Sequence, residues 1–115
     1  MNVSSFTYNG EEVDPEGFLS IRTYRIIEFL LRELTEVIGK TTTEEDLIVF
    51  HSELIKKITR YDKNLNVRGN ITSDHDGMLN SVSIPLVDKT NNDVLTLIFK
   101  WGIIGQPLKV QVLDN

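Results

Sequence analysis

Apolar residues change their spacing once along the chain, near Asp62. From Asp14 to Tyr61 they recur every three or four residues, the period of an amphipathic helix; from Asn64 to Leu113 they recur at every second residue, the period of a half-covered strand. Helices gathered ahead of strands predict an α+β fold. Asp14-Pro15-Glu16 supplies an N-cap carboxylate, a proline suited to the first helical position and an acid in the first turn. Phe18, Ile21, Tyr24, Ile27, Leu31, Leu34 and Ile38 then mark one side, with Gly39 as a C-terminal cap. Phe29, Leu30 and Leu31 make this helix apolar around much of its circumference. Thr42 and Thr43, with Glu45 and Asp46 three residues on, predict the capped start of a second helix. Its stripe is Leu47, Phe50, Leu54, Ile58 and Tyr61, with Ile48 and Ile55 beside it.

The expected elements are helices over about 14–39 and 43–61 and strands over about 65–72, 79–87, 94–101 and 108–113. Gly69 reads as a bulge in the first strand. Pro85, lacking an N–H, marks its strand as an edge or a bulge. Leu95, Leu97, Phe99 and Trp101 give the most apolar strand face and predict the sheet centre. The whole, residues 1–115 as one domain, reads as an antiparallel helical hairpin on one face of a roughly four-stranded antiparallel meander. Ser5 to Tyr8, followed by Asn9-Gly10, leaves room for an additional short N-terminal strand or hairpin.

Composition sets the chemistry that this frame can carry. At 40% hydrophobic and 25% charged residues, the 115-residue chain has the makeup of an ordinary folded domain. There is no cysteine, so disulfides, thiolate metal sites and a cysteine nucleophile are excluded. The apolar runs are too short for a membrane helix, and the first ten residues lack the basic start and apolar middle of a secretory signal; a cytoplasmic location is the expectation. Alanine is absent while Asn, Ile, Lys and Thr are plentiful, a bias suited to an AT-rich gene of bacterial or phage type. The net charge of −5 disfavours nucleic acid and anionic lipid and favours a basic protein partner.

No motif identifies a reaction, a cofactor or a metal site, and no catalytic residue is assigned. Ser73-Asp74-His75-Asp76-Gly77 gathers two carboxylates and an imidazole, but Asp and Gly are also the ordinary residues of a hairpin turn, which is the expected role. His51 sits mid-helix and could meet His75 only through the fold; a polar position at the core margin is expected. Lys56, Lys57 and Arg60 are explained by the C-terminal end of the helix dipole. Glu11 and Glu12 lie ahead of any helix start and are explained by no dipole. These observations favour a small, acidic, non-enzymatic protein-binding module, of the kind formed by immunity or antitoxin proteins that occlude a basic toxin or nuclease. Glu11, Glu12, Asp14, Glu16, Asp74, His75 and Asp76 are its candidate partner-binding residues. The alternative is a cone-like α+β domain that binds or transforms a small molecule with the Asp74-His75-Asp76 turn. A homodimer through the wet sheet face or the outer side of the first helix is a further expectation.

Overall fold

A computed structural model describes residues 3–37, 43–75, 79–101 and 108–114. The chain is a mixed α+β fold, with three helices and a seven-stranded sheet among the described residues. Strand β1 (Val3–Tyr8) turns through Asn9 and Gly10 into the two-residue β2 (Glu11–Glu12). Both turn residues have positive φ, 50° and 88°, which is the backbone demanded by the tightest hairpin turn and met most readily by Asn-Gly. The anticipated N-terminal hairpin is therefore present.

The first helical region is not one helix. A single turn, α1 (Pro15–Phe18), capped by Asp14, ends at Leu19, whose backbone is extended. Ser20 then caps α2 (Ile21–Thr35) by accepting from the Thr23 N–H at 3.2 Å. The apolar period runs through this break unaltered; the hydroxyl at Ser20, in competition with the continuing ladder, is what starts a new helix. The helix closes at Thr35, and the expected Gly39 cap lies outside the described residues. Helix α3 (Glu44–Tyr61) has the reciprocal cap between Thr43 and Asp46 that its sequence predicts.

The sheet is larger than the four strands expected, and it is not a pure meander. Its order is β2-β1-β7-β6-β5-β3, with β4 also on β5. The predicted strand over 65–72 is two strands, β3 (Leu65–Val67) and β4 (Thr72–His75), both antiparallel to the ten-residue β5 (Leu79–Asp88). The break falls opposite Pro85. Its carbonyl accepts from the Arg68 N–H at 2.8 Å, and a strand residue points N–H and C=O to the same side. The missing proline N–H thus faces the gap between β3 and β4, where Gly69 turns the chain at φ 83°. Strand β6 (Val94–Lys100) lies between β5 and β7 (Leu108–Asp114), near the sheet centre as expected. Strand β1 pairs parallel to β7, a long-range addition to the local hairpins.

One sheet face is covered. Val82, Ile84, Leu86, Leu97, Phe99, Val110 and Val112 meet Ile26, Ile27, Leu30 and Leu34 of α2 and Leu54 and Ile58 of α3 in one cluster. The helices run antiparallel, joined by the Lys57–Glu33 ion pair at 2.9 Å and the stacking of Phe29 on Tyr61 at 4.4 Å between ring centroids. Tyr61, expected in the core, is a 42% exposed lid on Phe29 instead, and Ile21, expected on the buried stripe, is 71% exposed. Trp101 is buried, as its place on the apolar face predicts.

Candidate functional site

Four strand ends and the start of α2 converge at one end of the sheet. Tyr8 and Asp114 close the parallel strands β1 and β7; Asp88 ends β5 and Val94 begins β6. Together with Phe18, Leu19 and Arg22 they bound a cleft of about 540 Å³. Its apolar walls include Ile26, Leu65, Leu86 and Leu95.

Arg22 is the organising side chain. From the first turn of α2, its Nε and Nη2 donate to both carboxylate oxygens of Asp62 at 2.8 and 3.1 Å, and its Nη1 donates to Asp88. The guanidinium fork matches a carboxylate edge-on, so one residue joins the α2 start, the α3 end and the β5 end. Asp62 is held below the ordinary carboxyl range, first by Arg22 and then by the Asn64 N–H, against the opposing effect of burial. Asp88 is lowered too, but chiefly by the Thr90 hydroxyl and N–H, with the Arg22 charge a smaller contribution.

Across the cleft the Tyr8 hydroxyl donates to Asp114, and the phenol is pushed above its ordinary value by that carboxylate and by burial. Asn9, in the hairpin turn, accepts from the Asp114 N–H at 2.9 Å, which ties the turn to the end of β7. Phe18 packs edge-on against Tyr8 with ring centroids 4.9 Å apart, yet stays 56% exposed. Asp93 and Asn91 complete the polar rim. Asp88, Asp93 and Asp114 thus line the cleft with one guanidinium, which Asp88 and, behind the lining, Asp62 already pair; the cleft is acidic with an apolar interior.

The anticipated acidic residues divide into two separate groups. Glu11 and Glu12 are exposed on β2, Asp14 caps α1 and Glu16 lies in its first turn, so these four share the β2 edge beside the cleft. The Tyr24 phenol is raised by burial first, then by Glu28, with Glu16 and Asp14 of this group adding smaller contributions. Asp74 lies on the opposite edge, paired with Ser81. Five strand spacings separate β2 from β4, about 24 Å. Asp74 and His75 are strand residues rather than the turn expected of them, because pairing with β5 extends through them; Asp76 lies outside the described residues. Among the described residues, no group of three or more His, Asp or Glu side chains is placed to hold a metal ion.

His51 reaches the same strand as His75, but its recorded partner is Ser73: Nε2 and Oγ are 2.6 Å apart. Burial lowers the imidazole pKa, consistent with a neutral ring sharing one hydrogen bond at the core margin. Arg22, Asp88, Asp114 and Tyr8 were not singled out by sequence. Arg22 and its two partners stand 40 and 66 residues apart, so no spacing rule links them.

Comparison with known families, curated proteins and solved structures finds no match to this chain. Among the described residues, no helix is long and apolar enough to cross a membrane.

Proposed function

We propose that this protein is a non-enzymatic binding module that captures a basic protein partner at the cleft end of its sheet. The observation that carries the reading is the composition of the cleft: three carboxylates, Asp88, Asp93 and Asp114, against one already paired arginine, over apolar walls, with exposed Phe18 and Ile21 beside it. Such a surface would attract a cationic partner from a distance and then accept the aliphatic stem of a lysine or arginine against Leu86 and Leu95. Exposed aromatic and aliphatic side chains beside the charges supply the desolvated anchors that hold a complex once formed. Glu11, Glu12, Asp14 and Glu16 extend the acidic field along the neighbouring edge. An immunity or antitoxin role, in which the acidic end blocks the nucleic-acid surface of a basic toxin, is the form of this reading that suits the net charge of −5.

The test uses a defined probe. An arginine-rich peptide carrying one aromatic residue, titrated into isotopically labelled protein at low salt, should shift the amide signals of Phe18, Arg22, Val94 and Leu95. Affinity should fall as salt is raised to about 0.5 M, where charge steering is screened. Shifts confined to the Asp74 edge, or binding indifferent to salt, would refute the assignment.

A second reading follows from volume alone. About 540 Å³ is a size that suits a small organic ligand. The ligand would be a cationic amine, and it would sit at the opposite end of β5 from Asp74 rather than on the Asp74-His75-Asp76 segment. A thermal-shift screen of amines against carboxylic acids of equal size discriminates, because only amines should stabilise.

A further inference from the structure

Helix α3 carries a second surface that the cleft does not involve. Its inner side is Leu47, Leu54 and Ile58, all buried. At 100° per residue, the opposite side is centred on Ser52 and contains Glu45, Ile48, Val49, Ile55, Lys56 and Thr59. Ile48 is 68% exposed, Val49 62% and Ile55 37%. Single exposed aliphatic residues are ordinary on a protein surface. Here, however, Glu45, Ile48, Ser52, Ile55 and Thr59 follow the alternating three- and four-residue spacing of a helix–helix seam. Ile48 and Ile55, two turns apart on that seam, and Val49 beside Ile48 make the outward face partly apolar.

The charges flanking this face are antisymmetric. Glu44 and Glu45 stand at the N-terminal end, Lys56 and Arg60 at the C-terminal end, and all four are exposed. The nearest intrachain carboxylate to Lys56 is Glu53 at 3.8 Å, a loose pair between two exposed groups. Lys57, by contrast, is turned inward to Glu33. A basic partner would be repelled by one half of this face and an acidic partner by the other. A parallel copy would set Glu44 against Glu44 and Arg60 against Arg60. An antiparallel copy satisfies both halves.

We infer that α3 is a homodimer interface, in which two copies pair antiparallel about a two-fold axis at Ser52. In that register Glu45 of one copy meets Arg60 of the other on one flank, and Ile48 meets Ile55 on the opposite flank. Val49 lies under the methylene stem of Lys56. The small Ser52 at the crossing allows the close axial approach of packed helices. The contact is isologous, as two-fold pairing requires. One 18-residue helix gives a narrow strip rather than the roughly 800 Å² per partner of a standard interface, so association is reversible and concentration-dependent. This surface is distinct from the cleft, and its failure would leave the binding proposal standing.

Sedimentation equilibrium of the full chain, from about 10 μM to about 1 mM, should show a monomer–dimer equilibrium. Ile48→Asp, at a position too exposed to disturb the fold, should raise the dissociation constant by about tenfold or more without changing the circular dichroism spectrum. Glu45→Arg and Arg60→Glu should each weaken the dimer, and the two together should restore it. Because the chain has no cysteine, Ser52→Cys gives a clean probe of the axis: mild oxidation should cross-link it, while Thr59→Cys should not. A monomer throughout the range overturns the inference. So does a dimer that Ile48→Asp leaves intact, a double charge swap that fails to restore pairing, or cross-linking at Thr59→Cys as fast as at Ser52→Cys.

Discussion

Replacing Arg22 by Met removes the charge while keeping most of the side-chain stem, and so tests the clamp that joins both long helices to the end of β5. Wild-type Arg22 donates three hydrogen bonds to two carboxylates whose side chains are only 20% and 15% exposed. Hydrogen bonds to charged groups contribute about 1.5–3 kcal/mol each when well shielded. The Arg22 side chain is 39% exposed, so solvent screening reduces the sum, and about 2 kcal/mol is the expected loss at pH 7. With an unfolding entropy of about 2.1 cal/mol/K per residue over 115 residues, that loss lowers Tm by about 8 °C.

The pH dependence makes the prediction specific. Asp62 and Asp88 are both lowered below their ordinary value of 3.8, so the stability they contribute is complete above that value. It is lost as pH falls through their folded-state values, since the unfolded chain then binds more protons. Arg22 is the largest cause for Asp62 but a lesser one for Asp88, which Thr90 holds. Arg22→Met should therefore raise the Asp62 titration midpoint clearly and move Asp88 little, as read by carboxyl carbon NMR. Urea unfolding should show a large gap between variant and wild type at pH 7 and a much smaller one near pH 2. A gap under about 0.5 kcal/mol at pH 7, or one equally large in acid, would refute the reasoning.

Two further outcomes follow from the same physics. His51 is depressed by burial, so wild-type stability is complete above the ordinary imidazole value of 6.5 and declines as pH falls below it. His51→Gln should flatten that decline, with urea midpoints at about pH 7.5 and about pH 5 as the measurement; equal slopes in the two proteins would sink the idea. Thr43→Ala should cost about 1 kcal/mol by opening the reciprocal cap of α3, and Asp46→Ala added to it should cost little more, because the two caps act as a pair. Full additivity in denaturant titrations would contradict the capping geometry.

The legible parts of this fold share one property: the interaction that sets each of them spans a few residues. Asn9-Gly10 dictated a hairpin turn, Thr43 with Asp46 dictated a helix start, and Val82, Ile84 and Leu86 declared their face by alternation. The Ser20 break was the local signal that escaped, since its hydroxyl lay inside an apolar period that continued through it. Tyr61 and Ile21 were misplaced for a related reason. A helical stripe names a side, but which of its residues lie at the border depends on how the neighbouring element tilts.

The candidate site was much less legible. Glu11, Glu12, Asp14 and Glu16 could be grouped because they are near neighbours in sequence. Whether Asp74 and His75 joined them depended on sheet order, and β2 and β4 proved to occupy opposite edges. The cleft itself is built from Tyr8, Arg22, Asp88 and Asp114, which meet only when β1 inserts parallel to β7 and α2 lies across the strand ends.

The sequence by itself determined the class of fold, the alternation that leaves one sheet face covered, the helix caps and the acidic charge, because backbone preference and hydrophobic period act between residues close along the chain. Only the tertiary structure decided the parallel partner of β7, the splitting of β3 from β4 opposite Pro85, the Arg22 clamp and the partly apolar outward face of α3. Those features rest on register and packing between distant segments, where a shift of one residue along a strand reverses every face and would leave Asp88 pointing away from Arg22.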